Sequence, residues 1–73
     1  MNLSDINVGE TVTVCALKSS DSMRRRLLDI GLVENTRVEC VGRSPCGDPS
    51  AFLIRGAVIA LRSEDCKNIL VKR

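Results

Sequence analysis

Aromatic residues are almost absent from this chain of 73 residues, which has one phenylalanine, Phe52, and no tryptophan or tyrosine. A hydrophobic core built from this sequence must therefore be largely aliphatic. The same scarcity leaves almost no platform on which nucleic-acid bases could stack. The composition thus counts against a protein that binds single-stranded nucleic acid.

Histidine is absent as well, so the residue most often used for general acid–base catalysis and for metal ligation is not available. No nucleophilic side chain adjoins an identifiable base in the sequence, and no glycine-rich phosphate-binding loop is present. The neighbouring carboxylates Glu64 and Asp65 fall in an expected turn, where we expect them to be solvated or to cap a helix. We predict no catalytic residue, no bound cofactor and no enzymatic activity.

Long apolar runs are also missing, although 44% of the residues are hydrophobic and are spread along the chain. No run approaches the length needed to cross a bilayer, and the first ten residues lack the basic and apolar regions of a secretory signal. We therefore expect one globular domain over residues 1–73, without membrane insertion, in the cytoplasm.

The charges of the chain nearly cancel, since eleven lysines and arginines face nine acidic residues and leave a net charge of +2. This balance is not typical of a protein that binds polyanions non-specifically. Together with the missing aromatics, it predicts that nucleic acid is not the partner.

The four cysteines show no metal-site spacing: they lie 25, 6 and 20 positions apart, without a C-x-x-C pair. A cytoplasmic location predicts reduced thiols. Cys15 and Cys40 fall in predicted strands and act there as small apolar residues. Cys46 lies between a proline and a glycine, where we expect an exposed, reactive thiol. Cys66 lies near two carboxylates that could help to hold an adventitious metal only, so we predict no dedicated metal site.

One short helix is indicated after the first strand. A narrow stripe of it carries three apolar residues, Met23, Leu27 and Ile30. Asp21 or Ser20 is the expected N-cap, and Gly31 is suited to end the helix in a left-handed conformation. A helix of two to three turns is not stable alone, so the stripe must pack on the rest of the domain.

The remaining segments read as short strands. Residues 11–17 alternate, with Val12, Val14 and Ala16 on one face. Further strands are predicted at 36–43, at 51–55 and 57–62 as a hairpin around Gly56, and at 69–72, with a turn or single helical turn over 63–68. Residues 44–50 hold both prolines and are predicted to form an exposed loop. The fold class is mainly β: about five strands in a small, strongly bent sheet or barrel, with one short helix inserted after the first long strand.

Four segments together resemble one family, the FeoA (ferrous iron transport protein A) family. They are LSDINVGET at 3–11, RRLLDIGL at 25–32, GDP at 47–49 and IRGAVIALR at 54–62. The resemblance implies an SH3-like β-barrel and an accessory role in bacterial ferrous iron uptake. The implied partner is the FeoB-type permease, which carries a cytoplasmic GTPase portion. Whether the module activates, inhibits or only assembles the transporter is left open.

Two positions depart from the family pattern. Glu34-Asn35 stands where Pro-Gly is common, and Cys46 stands where an apolar residue is more usual. Asparagine tolerates a left-handed turn position, so we expect the turn to survive with less rigidity.

The arginine triplet Arg24, Arg25 and Arg26 opens the predicted helix, where positive charge opposes the helix dipole. Four interpretations are open: a solvated face, a partner-binding surface, an arginine finger inserted into the GTPase, and a nucleic-acid patch. Exposed leucine beside arginine is typical of an interface, which favours the second. The candidate partner-binding residues are Met23, Arg24, Arg25, Arg26, Leu28 and Cys46, with the loop 44–50 as a weaker second surface. The alternative function is an SH3-like adaptor for another target, including nucleic acid.

Overall fold

A computed structural model describes residues 1–18 and 21–73 and shows one antiparallel sheet of five strands. In chain order these are β1 (Thr11–Leu17), β2 (Arg37–Arg43), β3 (Ser50–Ile54), β4 (Ala57–Leu61) and β5 (Ile69–Lys72). Their order across the sheet is β4-β3-β2-β1-β5. A 3₁₀ turn (Leu3–Asp5) precedes β1, helix α1 (Asp21–Ile30) follows it, and the short helix α2 (Ser63–Cys66) joins β4 to β5. The number of strands and the place of the inserted helix agree with the prediction.

Two register shifts bend the sheet: one in β1 between Val14 and Ala16, the other in β2 between Cys40 and Gly42. An extra residue in one strand of an antiparallel pair increases the local twist and bend. The shift in β1 also overturns one expectation. Val12 and Val14 are buried as predicted, but Ala16 is exposed, because the shift breaks the strict alternation of faces.

The core is aliphatic apart from one aromatic ring, and that ring is fully buried. Its members come from every strand, from both helices and from the N-terminal turn: Leu3, Ile6, Val12, Val14, Leu27, Leu32, Val38, Cys40, Phe52, Ile54, Leu61, Cys66, Ile69 and Val71. A chain of this length buries only about 60% of the surface that its unfolded form exposes, so each of these side chains matters for stability.

Helix α1 packs on the core by the predicted stripe. Leu27 is fully buried, and Met23 and Ile30 are half-buried against the core cluster. Asp21 is the first residue of the helix rather than its cap, and Ser20, the other expected cap, lies outside the described residues.

The end of α1 confirms the role expected of Gly31, which has a φ of 106°. Its amide donates to the carbonyl oxygen of Leu28 at 3.0 Å, and the Leu32 amide donates to that of Leu27 at 3.0 Å. This is the pairing of a Schellman motif, in which a left-handed residue satisfies the last helical carbonyls.

The β3–β4 hairpin turns through two residues, Arg55 and Gly56, both with positive φ (50° and 84°). Positive φ at both central positions is the feature of the tight type I′ turn that matches the twist of two strands. Asn35 likewise has a φ of 72°, so the left-handed turn expected at Glu34-Asn35 is formed. In the described residues, no helix combines the length and the apolar character that crossing a membrane requires.

Candidate partner-docking site

The three arginines of the triplet lie in two different environments in the folded chain. Arg26 reaches from α1 to α2, where its Nη2 donates to Asp65 Oδ2 at 2.7 Å. Arg24 and Arg25 are exposed, and within residues 1–18 and 21–73 neither takes part in an ion pair. The i,i+4 pair between Arg25 and Asp29 that the helix spacing allows is not formed. Two of the three positive charges therefore face solvent without a partner.

The environment of Asp65 differs from the expectation. We expected Glu64 and Asp65 to be solvated or capping in a turn, but the side chain of Asp65 is only 7% exposed and bonds to Arg26, while Glu64 is exposed. A carboxylate removed from water needs a paired charge or hydrogen-bond donors. Arg26 supplies both from a position 39 residues away in sequence.

The outer face of α1 is formed by Arg24, Arg25 and Leu28. Leu28 is 40% exposed, and it lies one turn from Arg24 on the same side of the helix. Arginine is enriched where proteins meet, and an exposed apolar side chain beside it gains free energy when a partner covers it, so the composition suits a docking surface. We call these three residues the α1 outer face.

Met23 and Arg26, also predicted as partner-binding residues, lie along a cleft at the side of α1. The cleft has a volume of about 410 Å³ and runs between α1, the end of β4 and α2. Its walls are Met23, Arg26, Ile30, Ala60, Leu61, Arg62, Glu64 and Asp65. Met23 is held there by the core below and by Asn68, whose Nδ2 donates to the Met23 Sδ at 3.8 Å.

Cys46, the sixth predicted residue, is exposed in the loop between β2 and β3. Hydrogen bonds tie this loop: the Ser44 hydroxyl donates to the Asp48 carbonyl at 2.8 Å, and the amide of Ser63 in α2 donates to Asp48 Oδ1 at 2.9 Å. Residues 45–49 are thus exposed, as predicted, and the loop is anchored to α2. Ser50, which the prediction included in the loop, is instead the first residue of β3 and is buried.

The other cysteines lie away from the surface to different degrees. Cys40 and Cys66 are buried, and Cys15 is half-buried. Burial raises the pKa of the Cys66 thiol to about 12, and the neighbouring Asp65 carboxylate adds to the shift. Among the residues that the structure describes, no group of three or more His, Cys, Asp or Glu side chains is placed to hold a metal ion.

A larger groove, of about 660 Å³, was not expected from the sequence. It lies where β1, β2 and β3 meet two turns, and its walls are Thr11, Glu34, Asn35, Thr36, Arg37, Val38, Glu39, Leu53, Arg55 and Gly56. Two arginines and two glutamates line it, so the groove has no preferred sign of ligand charge. In the sequence, the only feature that could have indicated this groove was the pair of turns that border it.

Comparison with known proteins identifies the family. The FeoA domain model matches residues 1–73, the whole chain. The chain belongs to the FeoA domain family.

Three relatives of this FeoA chain are informative. A Porphyromonas gingivalis protein described as a fusion of Fe(2+) transport protein A with the Fe(2+) transporter FeoB is 28% identical over 72 residues; the match covers 99% of this chain and only 8% of that protein. A FeoA-like protein from Clostridium acetobutylicum is 32% identical with a TM-score of 0.91, covering 99% and 84% of the two chains. A zinc-bound FeoA from Stenotrophomonas maltophilia, described as a prokaryotic SH3 domain protein, is 26% identical with a TM-score of 0.87, covering 99% and 89%. The predicted SH3-like fold is confirmed.

Proposed function

We propose that this FeoA protein is a small cytoplasmic, non-catalytic module that docks on the cytoplasmic GTPase portion of a FeoB-type ferrous iron permease and modulates it. The α1 outer face is the docking surface. The observation that carries the proposal is the division of the triplet: Arg26 is paired to Asp65, whereas Arg24 and Arg25 are exposed and form no ion pair in the described residues. Leu28 is exposed beside them.

The stability of the fold gives no reason for Arg24 and Arg25. Helix α1 begins at Asp21, so Arg24 and Arg25 are its fourth and fifth residues, where the helix dipole does not favour a positive charge and its effect has largely fallen off. Neither arginine forms an ion pair in the described part of the chain. The fold therefore gains nothing from either charge, which supports a role in binding.

The fusion relative supports FeoB as the partner. In that Porphyromonas gingivalis protein, a segment similar to this chain is joined covalently to the transporter. Tethering two modules raises the effective concentration of one near the other, which favours contacts that separate chains would form more weakly. The same two components acting as separate chains must rely on a docking surface.

Nucleic-acid binding, the alternative, lacks support in this arrangement. Phe52, the single aromatic ring of the chain, is fully buried and offers no stacking surface. The net charge of +2 adds little non-specific attraction for a polyanion.

The test is the binding of the isolated GTPase portion to this protein and to a charge-reversed variant, Arg24→Glu with Arg25→Glu. We expect an affinity loss of about tenfold or more, because charges that complement the partner are replaced by charges that repel it. A matched control reverses Arg37 and Lys72, two exposed charges away from α1. Equal affinity of both variants, or an equal loss in both, would refute docking by the α1 outer face.

GTP hydrolysis separates docking from the arginine-finger interpretation. An arginine finger raises the rate about 10³–10⁵-fold, and removal of that one side chain removes nearly all of the effect. We expect a modest change in hydrolysis and a graded response to Arg24→Ala and Arg25→Ala. Complete loss from one alanine substitution, with binding retained, would favour the finger instead.

A further inference from the structure

Strand β4 is an edge strand that carries no charge from Ala57 to Leu61. Val58 is 65% exposed, which makes it the most exposed large hydrophobic residue in the described part of the chain. Natural proteins blunt exposed sheet edges with charges, prolines, bulges or covering segments, because a bare edge is a template for another strand. β4 shows no bulge in its pairing with β3.

The other edge strand, β5, is protected. The Val71 amide donates to the Met1 carbonyl at 2.9 Å, and Asn2 forms a β-bridge with Leu70. β5 also ends in Lys72, an exposed charge. The same sheet therefore has one covered edge and one apolar edge that pairs with no strand of the described residues, although the end of that second edge, at Ala60 and Leu61, borders the cleft beside α1.

The register of the hairpin determines which backbone groups face the open edge. In a two-residue hairpin the residues that flank the turn, here Ile54 and Ala57, form a hydrogen-bonded pair, and such pairs then alternate along the strands. Ala57, Ile59 and Leu61 consequently bond to β3. Val58 and Ala60 direct their amide and carbonyl groups away from β3, toward the edge.

We propose that β4 pairs in antiparallel orientation with β4 of a second copy of this chain, about a two-fold axis at Ile59. In this register Val58 and Ala60 exchange backbone hydrogen bonds with Ala60 and Val58 of the second copy, so each outward group finds a partner. Ile59 faces its own symmetry mate, and no charged side chain opposes a like charge within the strand. The strand is thus complementary to itself, which a two-fold interface requires.

The dimer is weak and depends on concentration. A single pair of five-residue strands buries less than the roughly 1,000 Å² of a stable interface. We therefore expect a monomer in dilute solution and a reversible dimer at high concentration, independent of the α1 outer face.

The test combines sedimentation with amide hydrogen exchange over a wide range of protein concentration. We expect the mean mass to rise with concentration and the exchange of the Val58 and Ala60 amides to slow in parallel. Val58→Lys places a charge on the edge, and Ala60→Pro removes an amide that bonds to nothing within the monomer. Both should abolish self-association without a change in thermal unfolding. Val8→Lys, at another valine that is 56% exposed but lies outside the sheet, is the matched control and should self-associate normally.

Three results would overturn the proposal. One is a mass that stays monomeric at all concentrations. Another is self-association that persists in both edge variants. The third is an unchanged oligomeric state in Val58→Lys together with weaker binding of the GTPase portion, which would make the edge a site for a strand of the permease rather than for a second copy.

Discussion

Replacement of Arg26 by methionine tests whether the triplet is divided between folding and docking. The change keeps an unbranched side chain of similar reach on α1 and removes the guanidinium that bonds to Asp65 at 2.7 Å. Arg24→Met and Arg25→Met are matched controls on the same helical turn, since both residues are exposed and unpaired in the described residues. We expect Arg26→Met alone to lower the free energy of unfolding.

The magnitude follows from the burial of the two partners. A hydrogen bond to a charged group stabilises a protein by about 1.5–3 kcal/mol. The Asp65 side chain is 7% exposed, but that of Arg26 is 61% exposed, so solvent screens part of the interaction and places it at the low end. We therefore expect a loss of about 1.5 kcal/mol, or a fall in Tm of roughly 6–12 °C for a domain of this size. The two controls should stay within about 0.5 kcal/mol of the unmodified protein.

The assay is urea unfolding followed by far-UV circular dichroism, because the chain has no tryptophan to report fluorescence. A double-mutant cycle adds Asp65→Asn, which leaves a neutral amide in place of the buried carboxylate. If the pair acts as described, the two changes together cost less than their sum, with a coupling energy of about 1 kcal/mol. Equal destabilisation by all three methionine variants, or a coupling near zero, would refute the division.

Four further predictions concern the end of α1, the core and the thiols. Gly31→Ala should destabilise the fold by about 1–2 kcal/mol in urea unfolding, because the φ of Gly31 is 106° and a Cβ there would meet an arginine side chain at 3.1 Å. The control Gly42→Ala should be nearly neutral, because the nearest atom to its Cβ would be 3.9 Å away. Phe52→Ala should cost about 3–5 kcal/mol in the same measurement, since it empties the centre of the core. In iodoacetamide labelling read by mass spectrometry, Cys46 should react first and Cys66 only on unfolding. Burial raises the Cys66 pKa from about 9 to about 12, so the contribution of the protonated thiol to stability is complete below pH 9 and is lost as the pH rises toward 12. The measurement is the free energy of unfolding as a function of pH, compared between the unmodified protein and Cys66→Ala.

Features governed by local chemistry were predictable from the sequence. Gly31 ends α1 because few residues other than glycine adopt a φ of 106° readily. In the same way, the hairpin around Gly56 follows from turn chemistry. The buried stripe of α1 that contains Leu27 follows from helical periodicity. Each of these signals lies within about ten residues of the position that it determines.

Features that depend on tertiary contacts were not predictable. Asp65 and Arg26 are 39 positions apart, and nothing near either residue shows that the fold brings them together. Ala16 continues the alternation of β1 in sequence, yet a register shift turns it outward. The contrast between the two sheet edges likewise depends on where Met1 packs, which no periodicity reveals.

The Arg26–Asp65 bond also bears on the docking proposed for the α1 outer face. By joining α1 to α2, it holds the helix in one orientation on the barrel, so Arg24 and Leu28 are presented in a fixed relation before any partner arrives. Preorganisation of the backbone lowers the ordering cost of association, but each long arginine side chain that becomes immobilised still costs about 0.5–1.5 kcal/mol. Leu28 has fewer rotatable bonds and gains free energy as its exposed surface is covered. In the proposed complex, the arginines would therefore contribute mainly to the rate of encounter and to orientation, while Leu28 would contribute more to how long the complex lasts.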